Sequence, residues 1–399
     1  MNTLLKTTVF AVLMIVSGES FAQFERRVAK RDFYDYYNNA NYDETLVPEY
    51  TLPDLFACLD GTKADKPEAW EKHRRGELID LFTEYMYGRM PMPDATFSFE
   101  RMAKDKPCLN GKIMRRDIML HLTSDGPDVR LTLLFPRHAR KMKTILGLSF
   151  ADTDSVVTVY DDGSQPKDAL SWPVEKILQS GFALALFRYT DAEGDKAKDM
   201  FRSSKLHKHF YKTGQTSPLP NEWGAVACWS WTASRAMDAI EKLASDVVDL
   251  ENVTIMGHSR LGKTALWAGA TDERFARVVA VNSGCCGAAL SRRCVGETVE
   301  CVNEWSYQWF CGNFRQFSHK EKTMPFDQHE LLALVAPRKL MVISGKEDLW
   351  SDPKGEGLAC ESARPVWQLY GKPENIVYIL REGPHAVLQS DWQAILNDW

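Results

Sequence analysis

With 399 residues, 44% of them hydrophobic and 26% charged, the chain can bury a sizeable core and has the ordinary composition of a globular enzyme. Its formal charge of −5 gives no electrostatic reason to expect nucleic acid as a partner. The nine cysteines lack the paired C-x-x-C spacing of a zinc site, so disulfides or buried thiols are expected and a metal is not.

The first 22 residues read as a cleaved signal peptide. Lys6 supplies the positive end, residues 9–16 the apolar core, and Ser20-Phe21-Ala22 the small-x-small cleavage pattern. That apolar run is far short of the roughly 20 residues a membrane span needs. An exported protein, periplasmic or secreted, is expected, with no membrane partner after cleavage. No cysteine follows the cleavage site to carry a lipid. Export permits disulfides, and an odd cysteine count leaves at least one thiol unpaired.

Residues 23–60 are polar and rich in tyrosine (Tyr34, Tyr36, Tyr37, Tyr42, Tyr50), which suggests an arm lying on the main body. Residues 61–399 read as one catalytic domain. Leu78, Leu81, Phe82 and Tyr85 recur at helical spacing and predict a helix over 68–87. β-rich runs follow at 113–122, 129–135 and 144–150, with a turn at Ser124-Asp125-Gly126-Pro127. Helices and strands then alternate: helix 172–180, strand 182–187, helix 225–243, strand 252–256, and strands 277–281, 339–344 and 375–380. The alternation implies an α/β fold whose mostly parallel central sheet carries helices on both faces. About eight strands are expected. Residues 284–327 break the rhythm with glycine, cysteines, paired arginines and a run of aromatics, as an active-site wall or lid does.

One stretch organises the rest: Gly257-His258-Ser259-Arg260-Leu261-Gly262-Lys263. It lies between a β-branched strand and a small, apolar helix, the setting of an α/β-hydrolase nucleophile elbow, with the serine after the fifth or sixth strand. Glycine commonly stands two residues after the serine; here that place holds Leu261, with Gly262 one later. A serine needs a base, and the base an acid, in the chain order Ser, acid, His. Of nine histidines only His385 lies beyond the last predicted strand, in the tight loop Glu382-Gly383-Pro384-His385. Asp348, three residues past Gly345, is the favoured acid, with Glu347 and Asp352 as rivals. Arg260 contributes its backbone N–H to an oxyanion site, and its guanidinium adds positive charge there. Lys263 shares a helix face with Ser259 and leans back toward the mouth above it. Two cations beside an esterase serine suggest a polar, oxygen-rich substrate.

The elbow resembles the G-C/H-S-R-x-G-K signature of glucuronoyl esterases, carbohydrate esterase family 15. The resemblance extends through Trp-Thr-Ala-Ser-Arg-Ala-Met-Asp at 231–238, through residues 282–297, and through Asp348-Leu349-Trp350 to Gly383-Pro384-His385. It covers roughly residues 60–395 and leaves the N-terminal arm unmatched. It implies cleavage of the ester between 4-O-methyl-glucuronic acid of glucuronoxylan and lignin alcohols, through an acyl-enzyme and without a cofactor. It implies Ser259 as nucleophile, His385 as base, Arg260 at the oxyanion, and Lys263, Glu297 and Trp350 around the sugar. Gln308 is the nearest match to a family glutamine that also touches the sugar. Fungal members carry the triad acid as a glutamate where this chain has Asn282; the bacterial pattern supplies it after the later strand, which again selects Asp348. A monomer is expected. An acetyl xylan esterase is the alternative within enzymes, and a silent glycan-binding hydrolase fold the alternative outside them.

Overall fold

A computed structural model describes residues 33–109, 111–158, 171–195 and 200–397. The predicted signal peptide and residues 23–32 of the arm lie outside them. Two compact units divide the chain, Met1–Asn39 and Ala40–Trp399. In the first, the described residues form the helix Phe33–Asn39. Residues 40–60 belong to the second unit, where Leu55 is buried and its carbonyl accepts from Arg74 Nε at 3.0 Å.

The second unit is built on one ten-stranded sheet. Its strands are β1 (Ser98–Arg101), β2 (Lys106–Cys108), β3 (Ile113–His121), β4 (Asp128–Pro136), β5 (Met142–Ser149), β6 (Phe182–Arg188), β7 (Val248–His258), β8 (Phe275–Val281), β9 (Lys339–Gly345) and β10 (Ile376–Arg381). The order is β1-β3-β4-β6-β5-β7-β8-β9-β10, with β2 paired to β3. From β6 to β10 every pairing is parallel, whereas β1, β2, β3 and β4 pair antiparallel. The expected eight strands are therefore ten, and the serine follows the seventh, β7. The two extra strands sit at the sheet edge beyond β3. They are short, largely exposed and charged, so they lack the alternation that marks a half-buried strand. Counted from β3 the strands are eight, with the serine after the fifth.

The principal helices are α1 (Arg75–Phe82), α2 (Val174–Gln179), α3 (Ala225–Leu243), α4 (Arg260–Thr271), α5 (Gln328–Ala333), α6 (Pro353–Leu369) and α7 (Gln389–Asn397). Because side chains alternate across a strand, each strand feeds two cores. Leu146, Ile255, Ala280 and Val342 pack with Trp229 of α3, Leu266 of α4 and Trp367 of α6. Ile145, Met256, Val281 and Ile343 pack on the opposite face with Ile177 of α2 and Trp392 of α7. The result is three layers. The helix predicted over 68–87 is α-helical only at Pro67–Ala69 and in α1, and winds as π-turns at Trp70–Arg74 and Thr83–Tyr87.

The irregular stretch after β8 is a packed wall. Residues 285–293 are all buried, and Arg292 ties the stretch down by donating to Phe326 O at 2.9 Å, Met324 O at 2.7 Å and Asp327 at 3.2 Å. All nine cysteines are free thiols, and seven of them are buried. Among the described residues no helix is long and apolar enough to cross a membrane.

Candidate active site

The elbow stands at the carboxyl end of β7, near the middle of the sheet. Ser259 has φ 59° and ψ −128°, a conformation most L-residues avoid, and its N–H donates to Val281 O at 2.8 Å. Strain of this kind persists only where the surroundings over-determine it. Here a glycine before the serine makes it feasible: a Cβ on Gly257 would lie 1.9 Å from Leu261 O. The glycine displaced from its usual place is explained too, since a Cβ on Gly262 would meet Ser283 Cβ at 3.0 Å while Leu261 is buried in the core. Gly257→Ala should therefore destabilise the protein by about 3 kcal/mol, the upper range for overpacking, as read from a denaturant midpoint. A neutral effect would mean the turn relaxes without cost.

His385 reaches this rim on the loop after β10. Its Nδ1 lies 2.6 Å from Asp348 Oδ2. A carboxylate can only accept, so Nδ1 carries the proton and Nε2 is left as the acceptor. The imidazole packs on His258, the residue before the serine, with ring centroids 4.7 Å apart. Among the described residues no hydrogen bond joins Ser259 Oγ to the imidazole; such bonds commonly tighten only as substrate enters. Asp348 also accepts from Asn282 Nδ2 at 2.7 Å. Burial opposes its charge, but His385, Ser351 and Asn282 together hold its carboxyl below the ordinary value. Burial and the neighbouring His385 push His258 down to about 3, so it stays neutral. The rival acids are elsewhere: Asp352 pairs with Arg293 at 2.8 Å and caps α6 through Gly355 N, and Glu347 is exposed.

The loop carrying His385 is held by Arg381, which sequence reasoning did not single out. Its guanidinium donates to Pro384 O at 3.0 Å, to Glu382 O at 3.2 Å and to Ala386 O, and pairs with Asp391 at 2.8 Å. It also donates to Asn282 Oδ1 at 3.3 Å. Asn282 thus links arginine to acid, and its amide orients Asp348.

Arg260 opens α4, so its N–H is one of the helix donors without an intrahelical acceptor. Its guanidinium is not a bare charge. It pairs with Asp195, lies 4.9 Å over the Trp309 ring and 5.8 Å over Phe150. Asp195 also accepts from Trp309 Nε1 at 2.7 Å and Tyr189 OH at 2.8 Å, while its carbonyl takes the Gln308 side-chain amide. Asp195 and Trp309 were not among the expected site residues. Lys263 is buried beside them, donating to Glu297 Oε2 at 2.9 Å and to Ser283 O at 2.8 Å. Burial alone would weaken its proton affinity, yet the Glu297 carboxylate holds its pKa above the ordinary value. Glu297 N donates to Trp350 O at 2.8 Å. A Cβ on Gly296 would come 2.3 Å from that same carbonyl, which accounts for the glycine. Lys263, Glu297 and Trp350 therefore form one wall next to the elbow. Among the described residues no group of three or more His, Cys, Asp or Glu side chains is set to hold a metal ion.

Comparison with known proteins agrees in fold and sequence. A family model described as "Glucuronyl esterase, fungi" matches residues 168–371. The chain is similar to carbohydrate esterase MZ0003 of an unknown prokaryotic organism, with 36% identity over 92% of this chain and 93% of that protein. It is 32% identical to the 4-O-methyl-glucuronoyl methylesterase of Hypocrea jecorina (strain QM6a), over 86% of this chain and 67% of that one. A solved glucuronoyl esterase from Solibacter usitatus superposes with a TM-score of 0.81 at 38% identity, covering 89% of this chain and 98% of that chain.

Proposed function

The chain belongs to the glucuronoyl esterases of carbohydrate esterase family 15, and we propose that it works with Ser259, His385 and Asp348 as its triad. It is a carboxylic ester hydrolase, similar to 4-O-methyl-glucuronoyl methylesterases, and the ester proposed for it joins 4-O-methyl-glucuronic acid of glucuronoxylan to a lignin alcohol. The observation that carries the site assignment is the 2.6 Å contact of His385 Nδ1 with Asp348, made beside the strained elbow.

Ser259 Oγ attacks the uronic acid carbonyl carbon while His385 Nε2 takes its proton. The tetrahedral oxygen is met by the Arg260 N–H at the start of α4, with the guanidinium adding charge stabilisation. That guanidinium is held by Asp195 and Trp309, so it is oriented before substrate arrives. Collapse expels the alcohol, which receives the proton from His385, and leaves a glucuronoyl ester on Ser259. Water, deprotonated by the same imidazole, then releases the uronic acid and restores the hydroxyl. The scissile carboxyl is esterified and neutral, so Lys263 and Glu297 serve the sugar hydroxyls and Trp350 offers an apolar face to the ring. The enzyme acts as an exported monomer, periplasmic or secreted, on cell-wall glucuronoxylan.

Kinetics on benzyl glucuronate and on acetylated xylan test the reading. Glucuronate esters are expected to be the better substrates by a wide margin, and the reverse order would assign the protein to the deacetylases. Lys263→Ala is expected to raise KM on glucuronate esters about 10- to 100-fold, the worth of a hydrogen bond from a charged donor. Its effect on simple acetates is expected to be far smaller, and equal losses on both would remove Lys263 from the sugar site.

A further inference from the structure

Behind the wall lies a carboxylate that the reaction does not use. Glu356, in the first turn of α6, is fully buried. Its Oε1 accepts from Ser283 Oγ at 2.7 Å and from Gly284 N at 2.9 Å, and its Oε2 accepts from Ser344 Oγ. These three donors are neutral and come from two strand ends: Ser344 lies in β9, and Ser283 and Gly284 lie in the turn that leaves β8. That turn has an unusual backbone, with φ 47° at Asn282 and 63° at Gly284. Between them stands Ser283, whose carbonyl accepts from Lys263 Nζ at 2.8 Å.

We infer that Glu356 is a positioning residue for substrate selection, acting through the Ser283 peptide to set where Lys263 stands. The inference rests on the sugar-binding reading of Lys263. Lys263 is gripped from two sides, by Glu297 at 2.9 Å and by the Ser283 carbonyl. The first grip is a side chain of the wall. The second is a peptide that would be free to rotate within a left-handed turn if nothing held its far side, and Glu356 holds it at both the hydroxyl of Ser283 and the following N–H. Ser283 Oγ in turn accepts from Ala288 N at 2.9 Å, so the same anchor reaches the start of the irregular wall. Loss of the anchor lets the carbonyl swing, and Lys263 follows Glu297 alone.

The test compares Glu356→Ala, Glu356→Gln, Lys263→Ala and the Lys263→Ala/Glu356→Ala pair on benzyl glucuronate and on 4-nitrophenyl acetate, with melting curves for each. Glu356→Ala is expected to raise KM on the glucuronate ester at least fivefold, with a clearly smaller change on the acetate. Glu356→Gln keeps an oxygen for Ser283 and Gly284 and is expected to recover most of the loss. The double variant is expected to match Lys263→Ala on the glucuronate ester, because the two act through one contact. Losses that multiply in the double variant, or that fall equally on both esters, would overturn the inference. Should Glu356→Ala fail to fold, Ser283→Ala decides: it removes the Oγ contact to Glu356 and is expected to raise KM on the glucuronate ester with a clearly smaller change on the acetate, and an equal change on both would overturn the inference. If Lys263→Ala itself failed to separate the two esters, the sugar-binding reading would fall first, and the comparison shows which of the two has failed.

Discussion

Ser259→Ala is expected to abolish turnover of glucuronate esters, with a fall of about 10⁶ in kcat, as for removal of a serine nucleophile elsewhere. The magnitude follows from what the hydroxyl does: without it no acyl-enzyme forms, and only the oxyanion site and substrate binding remain to help water. The fold should survive. The elbow is held by backbone, through Ser259 N to Val281 O and Gly262 N to Ser259 O, both at 2.8 Å. Alanine suffers the same left-handed strain as serine. Calorimetric titration with free glucuronic acid should give nearly wild-type affinity, because Lys263, Glu297 and Trp350 are untouched. Substantial residual turnover in the variant would remove the serine from the mechanism.

Asp348→Asn is expected to lower kcat about 10⁴-fold while leaving the melting temperature close to wild type. Asp348 Oδ2 accepts from His385 Nδ1 at 2.6 Å and from Asn282 Nδ2 at 2.7 Å. Both donors meet the same oxygen, so an asparagine that keeps its own oxygen there preserves the hydrogen bonds and the fold. What it lacks is the negative charge, and the imidazolium that forms when His385 takes the serine proton is then left without its counter-charge. A loss below tenfold would exclude Asp348 as the acid and return attention to Glu347.

The central strands and the two ends of the proposed triad are legible in the chain because each is marked locally. β7 and β8 end in buried, β-branched stretches (253–256 and 278–281), the elbow is flanked by glycines with steric reasons to be there, and His385 follows the last strand in a Gly-Pro loop. The order Ser, acid, His adds Asp348 once β9 is recognised. What is not legible has no local mark. Asp195 pairs with Arg260 across 65 positions of sequence, and Arg381 meets Asn282 across 99. Those partners become neighbours only when the sheet has closed. Asn282 is visible as a departure from a pattern, but its role as a donor to Asp348 needs the register of β8 beside β9. The edge strands β1 and β2 escape for the opposite reason: their charged, solvated residues carry too little apolar pattern to stand out.

The nine unpaired cysteines bear on how the chain would fare if exported to an oxidising compartment. A thiol is oxidised through its thiolate, and burial pushes Cys294 and Cys311 up to about 12 and holds Cys228 and Cys360 well above the ordinary value. Once folded, the molecule itself keeps these four thiols in the protonated form, which oxidants attack slowly. The exposed moment is before that, when the same nine groups face solvent on a nascent chain and wrong cross-links are open to them.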